Sequence, residues 1–275
     1  IDGVGRRRTP WQLMLVAALL VIVPFFAWYG TWFGRELSDS QIEEYLTDEK
    51  PRHVQHALAE IERRMAKQDA ATRRWHPQIV ALSHHPVADV RQTAAWVMGA
   101  DVHAVEYHEA LAQLLRDAEP IVRRNAALSL VSFGDAAGRP ELLAMLRPYT
   151  INAPVEGKVL TILNEGVPVK REGLIARLRL RNDELYELRS PLSGKISKAF
   201  VREGDEVSIG REIILLSPDE AQVRNALIAL SQVGEADDIS EMESHAQETA
   251  STSAESKQVV KQAIEAIRKR SAEKR

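Results

Sequence analysis

The residues best suited to chemistry in this sequence are its histidines and one run of carboxylates. His53 and His56 stand three apart on an expected helix, His84 and His85 precede Pro86, and His103 and His108 flank another expected helix start. A metal site needs three or four convergent ligands, and none of these spacings makes a set such as His-Glu-x-x-His. The histidines are therefore expected to be solvated or to cap helix ends, with no metal site among them. The stretch "EADDISEMES" opens a region with six acids between Glu235 and Glu248 and no base. Calcium coordination in a loop requires alternating oxygen ligands and a glycine at the turn, both missing here, so a solvated loop is expected. The sequence contains no Gly-x-Ser-x-Gly elbow, phosphate loop or dinucleotide fingerprint. With no cysteine, thiol catalysis, disulfides and thiolate metal sites are excluded. No catalytic residue is assigned, and the chain is not expected to be an enzyme.

The elements that would position such groups follow from length and pattern. The chain has 275 residues, long enough for about two domains, and 45% of them are apolar, enough for real cores. Aromatic residues are few while Ala and Leu are many, which favours helix. A formal charge of -3 argues against nucleic acid as the main partner, because neutralising phosphates takes a concentrated basic surface.

From Trp11 to Phe33 run 23 residues without a charge, "WQLMLVAALLVIVPFFAWYGTWF". As a helix they would extend about 34 Å and cross the hydrocarbon core of a bilayer. Arg6, Arg7 and Arg8 precede the run and Trp28, Tyr29 and Trp32 gather at its far end. The positive-inside rule then puts residues 1–10 in the cytoplasm and everything after Arg35 outside. The other reading is a cleaved signal peptide; the length of the run and the lack of a small-x-small site in "WYGTWFGRELS" favour an uncleaved anchor. Pro24 would kink the span. The expected location is a single-pass inner-membrane protein with its bulk in the periplasm.

Between residues 39 and 149, apolar residues recur at three and four, as in "VQHALAEIERRM" and "HEALAQLL", with breaks at Pro51, Pro86, Pro120 and Pro148. Short helices in hairpins are expected. "VRQTAAWVMGAD" from Val90 aligns with "VRRNAALSLVSFGD" from Val122, placing Ala94 and Ala95 against Ala126 and Ala127. A period of this length indicates a solenoid. These stretches resemble HEAT repeats, whose second helix commonly opens Asp-x-x-x-Val-Arg and continues with paired alanines. Small alanines let neighbouring helices approach closely, and the arginine can brace adjacent repeats through carboxylates or carbonyls. The pattern returns at Arg224, where "RNALIALSQVGEA" matches "RNAALSLVSFGDA" from Arg124, and more weakly in "KQAIEAIRK" from Lys261. Residues 219–275 are thus expected to continue the helical array. The last twenty residues carry seven Lys or Arg against two Glu, either a solvated cap of the solenoid or a contact for anionic lipid or an acidic partner.

The segment between, residues 150–218, is dense in Gly, Pro and β-branched residues and reads as two similar halves. In each, a Pro-x-x-Gly turn leads into a strand, and Glu-Gly or Glu-Gly-Asp forms the next turn. Gly157, Gly166, Gly194, Gly204 and Gly210 are expected to supply positive φ. "SPLSGKI" followed by "VREGDEVSIGREIILL" resembles the biotinyl/lipoyl domain and the equivalent domain of membrane fusion proteins. The resemblance implies a small barrel of two interlocked sheets and a modified lysine at the apex of the hairpin joining the halves. Here that apex holds Asp183, and no lysine lies between Lys170 and Lys195, so no cofactor is expected. The halves also join directly, without the long helical excursion of export adaptors.

The expected fold class is therefore mainly α with a β insert: one transmembrane helix and a HEAT-like α-solenoid interrupted by a lipoyl-like barrel-sandwich hybrid. The expected function is a non-catalytic, membrane-anchored periplasmic scaffold or accessory subunit. Its partners would be subunits of a larger inner-membrane complex for transport, secretion or electron transfer, with the lipid bilayer gripped through the anchor. A divergent export adaptor is the alternative, and a carrier-domain enzyme component a third reading.

Overall fold

The computed structural model describes residues 36–248 and 254–273. Ten α-helices in these residues form two layers. The first layer holds α1 (Asp39–Leu46), α3 (His76–Ala81), α5 (Val105–Leu114), α7 (Arg139–Ala144) and α9 (Ile239–Glu248). The second holds α2 (Pro51–Ala66), α4 (Ala88–Met98), α6 (Pro120–Ser132), α8 (Glu220–Val233) and α10 (Ala254–Glu273). Each second-layer helix packs on the next, α2 on α4, α4 on α6, α6 on α8 and α8 on α10, so the stack is continuous.

Local signals set the helix starts. Ser38 and Gln41 close a capping box on α1. Pro51 and Pro120 open α2 and α6 at their first turns, where a missing N–H costs nothing. Asp219 caps α8 by accepting from the backbone of Ala221 and Gln222.

Between α7 and α8 lie eight strands: β1 (Tyr149–Asn152), β2 (Gly157–Ile162), β3 (Pro168–Val169), β4 (Leu174–Arg179), β5 (Leu185–Arg189), β6 (Gly194–Ala199), β7 (Glu206–Val207) and β8 (Glu212–Pro218). They form two antiparallel four-stranded sheets, ordered β1-β8-β6-β3 and β5-β4-β2-β7. The two orders are the same pattern with the two halves of the segment exchanged. One apolar core, including Val159, Leu178, Ile196 and Ile214, joins the sheets. Tyr149 pairs with Leu216, so the chain enters and leaves the β unit side by side. That closeness lets α7 and α8 pack as a helical pair, sharing a core of Leu142, Met145, Leu227 and Leu230 despite the strands between them.

Several expectations are corrected. The described residues are about 53% helix and 17% strand, ten helices with two antiparallel sheets, and no helix among them is long and apolar enough to cross a membrane. The longest, α10 with 20 residues, is amphipathic and interrupted by Lys257, Lys261, Glu265 and Arg268, so it cannot meet hydrocarbon on all sides. The expected span over residues 11–33 lies outside the described residues. The fold class with a transmembrane helix is thus not the one found, and the single-pass inner-membrane, periplasmic location is not supported. Gly166, Gly204 and Gly210 do have positive φ, but Gly157 and Gly194 do not. Those two open strands β2 and β6, where a Cβ would lie 2.6 Å from the Arg179 carbonyl oxygen and 2.2 Å from that of Ser217. Glycine is required there by close backbone approach.

Candidate interaction surface

The residues singled out from sequence do not converge. Asp183 sits at the exposed apex of the β4–β5 hairpin with φ of 62°, its N–H donating to the Leu180 carbonyl. His53 pairs with Asp48 at 2.6 Å and stacks on Tyr45, His108 pairs with Asp135 at 2.7 Å, and His85 accepts from the Val87 N–H. The backbone N–H of His103 donates to Asp101. No three His, Asp or Glu among the described residues are placed to hold a metal ion.

The acid run is not a solvated loop. Residues Ala236–Asp238 form a 3-10 turn leading into α9. Glu235 and Asp238 both grip Arg139 on α7, Glu241 pairs with Arg147, and Glu243 with Arg268 on α10. The basic terminal helix is likewise packed. Ala263 and Ile267 are buried, and Arg270 donates to the carbonyls of Ser231 and Gly234 at the end of α8.

Arginines stitch the stack. Arg91 on α4 makes a two-point bond to Asp117 at 2.6 and 2.9 Å and donates to the His85 and Pro86 carbonyls. Arg123 on α6 repeats the arrangement one repeat later, with Glu141 as the carboxylate and the Asp117 and Ala118 carbonyls below. Burial works to raise the Asp117 carboxyl, but the Arg91 guanidinium and the Glu119 backbone N–H outweigh it and hold it below the usual aspartate range. Arg124 is 3% exposed where the β unit joins the helices. Its Nη1 donates to Gln222 Oε1 at 2.5 Å, while Nε has no hydrogen bond and lies 3.7 Å from Glu141. Burial pushes its pKa below the ordinary arginine value. The β unit is further tied down by an ion pair from Arg171 to Asp89 on α4, and by Ile121 of α6 packing against the sheet core.

The feature best suited to recognition is the open face of the second helical layer. Its floor is a seam of small residues. Ala94, Ala95, Ala126 and Ala127 are wholly buried, and Ser129 donates to the Ala95 carbonyl at 2.8 Å. A Cβ on Gly99 would meet the Ser129 Oγ at 2.7 Å, which marks close approach of α4 and α6. Above the seam lies a cavity of about 510 Å³ whose lining includes Glu62, Trp96, Asn125, Leu128 and Asn225, contributed by α2, α4, α6 and α8. A second hollow of about 180 Å³, bordered by Ile228 and sharing Leu128 and Asn225, continues it along α8. Trp96 is 49% exposed and Ile228 48%. Sequence reasoning passed over both. The signal was there for Trp96: Ala94, Ala95, Val97 and Met98 face the core, which leaves residue 96 on the opposite side of the helix.

Comparison with known proteins agrees on the helices. The family described as HEAT repeats matches residues 77–150, which span α3 to α7 and form HEAT-like helical repeats. No curated protein matches the chain. Among solved structures, one that matches is a single-chain, multi-domain long-chain acyl-CoA carboxylase, at 16% identity and a TM-score of 0.25. The match covers 38% of this chain and 10% of that one, too little to bear on activity.

Proposed function

We propose that this chain is a non-catalytic scaffold or accessory subunit that holds a protein partner on the open face of its second helical layer. The observation that carries this reading is Trp96, a large aromatic side chain left 49% exposed over a cavity that spans four helices. HEAT-like stacking supports it, because such arrays build extended surfaces from residues supplied by successive repeats. The β unit serves as a second docking element, fixed to the helices by Arg171, Asp89 and Ile121. Its matching half-sheets favour the resemblance to biotinyl/lipoyl domains, and the Asp183 apex offers no amine to modify. Affinity purification of the full chain from its native cells, beside the Trp96→Ser/Ile228→Ser double variant, tests the proposal. A stoichiometric partner retained by the wild type and lost from the folded variant is expected. A partner retained equally by both would place docking elsewhere, and turnover of any substrate by the purified chain would refute the non-catalytic reading.

A further inference from the structure

Glu62 and Trp96 line the same cavity, one from α2 and the other from α4. Glu62 is half-buried and has no ion pair or hydrogen bond with a described residue, although its neighbours Arg63 and Arg64 are both committed to Glu60. Its negative charge is thus met by no cation within the described residues, and a ligand that supplies one gains a charge-assisted hydrogen bond there. Beside it the Trp96 ring is open to solvent, and tryptophan presents the strongest aromatic face for a cation. The rest of the cavity suits a polypeptide more than a small ammonium ion. Leu128 and Ile228 extend an apolar track across α6 and α8. Asn125 spends its amide N–H on the Ile121 carbonyl at 2.9 Å, which leaves its side-chain oxygen available to a backbone N–H.

Resting on the docking role argued above, we infer that the partner segment inserts a lysine or arginine between Glu62 and Trp96, with an apolar residue following over Leu128 and Ile228. The negative carboxylate and the aromatic face act on the same cation, so specificity for a basic residue comes from the pair.

The test uses the full chain labelled with nitrogen-15 and the indole N–H signal of Trp96, assigned by its loss in Trp96→Phe. Three ten-residue Gly/Ser peptides are titrated, each with one leucine and, three positions before it, a lysine, a norleucine or a glutamate. The lysine peptide is expected to move the Trp96 signal to saturation, with the norleucine and glutamate peptides at least about tenfold weaker. Glu62→Gln, which breaks no described contact and should leave the remaining spectrum intact, is expected to weaken the lysine peptide about fivefold. Equal binding of lysine and norleucine peptides would overturn the cation seat while leaving a docking groove in place. Silence of the Trp96 signal with all three would also overturn it, and the purification experiment then decides separately whether the groove docks a protein at all.

Discussion

Gly99→Ala is the substitution that examines the helical seam most closely, because two effects of known sign compete there. Gly99 has φ of -67°, an ordinary helical value, so alanine meets no backbone strain. In isolation the change would stabilise by about 0.5–1 kcal/mol through the lost freedom of the unfolded chain. Against that, the new Cβ would lie 2.7 Å from Ser129 Oγ, 2.8 Å from its Cβ and 3.2 Å from its Cα, the last two being atoms that cannot swing away. Overpacking of this kind costs about 1–3 kcal/mol. Displacing Ser129 also threatens its 2.8 Å bond to the Ala95 carbonyl, for about 1 kcal/mol more. The clash wins, and a net loss of about 1–3 kcal/mol is expected, read as a lower urea midpoint at unchanged slope. Ser129→Gly costs about 1–2 kcal/mol alone, since it puts glycine inside a helix and removes the hydroxyl. It also removes both of the closest atoms, so the double variant should be more stable than the sum of the singles by at least about 1 kcal/mol. Costs that add to within about 0.5 kcal/mol would mean that α4 and α6 do not meet at this seam.

Three further outcomes are expected. Arg124→Met should stay within about 1 kcal/mol of wild type, because Glu141 keeps Arg123 as a partner and the poorly bonded buried cation is replaced by apolar volume, whereas Arg124→Ala should lose more by leaving a cavity; equal losses on thermal melting would contradict this. Asp117 has a lowered folded pKa, so its stabilisation is full above the unfolded aspartate value near 4 and is lost as pH falls through the lower folded value. The stability gap between wild type and Asp117→Asn should therefore narrow below about pH 4, and a gap unchanged down to pH 2 would be contrary. Gly204 has φ of 94° with nothing within 4 Å of a built Cβ, so Gly204→Val should cost about 1–3 kcal/mol purely through backbone strain, and an unaltered melt would show that the turn does not need that conformation.

The sequence carried the helical repeats because they depend on short-range chemistry. Pro51 and Pro120 mark first turns, the paired alanines mark the seam, and the turn glycines Gly166, Gly204 and Gly210 mark positive φ. Pairings between distant residues were not legible. The acids from Glu235 to Glu243 read as a loop because Arg139, Arg147 and Arg268, which neutralise them, are far away along the chain. Arg124 and Arg224 match in sequence, yet Arg124 is buried beneath Gln222 at the insertion while Arg224 is exposed. The candidate site was missed for the same reason. Glu62, Trp96, Asn125 and Ile228 come from four helices, and only the stacking of α2, α4, α6 and α8 makes them neighbours.

Docking on the second helical layer is tested most directly by a photo-reactive amino acid at Ser132, on the rim of the cavity, compared with one at Glu109 on the exposed side of α5. Irradiation in native cells should yield one discrete adduct with the same partner chain that co-purifies with the wild type, from position 132 and not from 109. Adducts with that partner from position 109 alone would contradict the account.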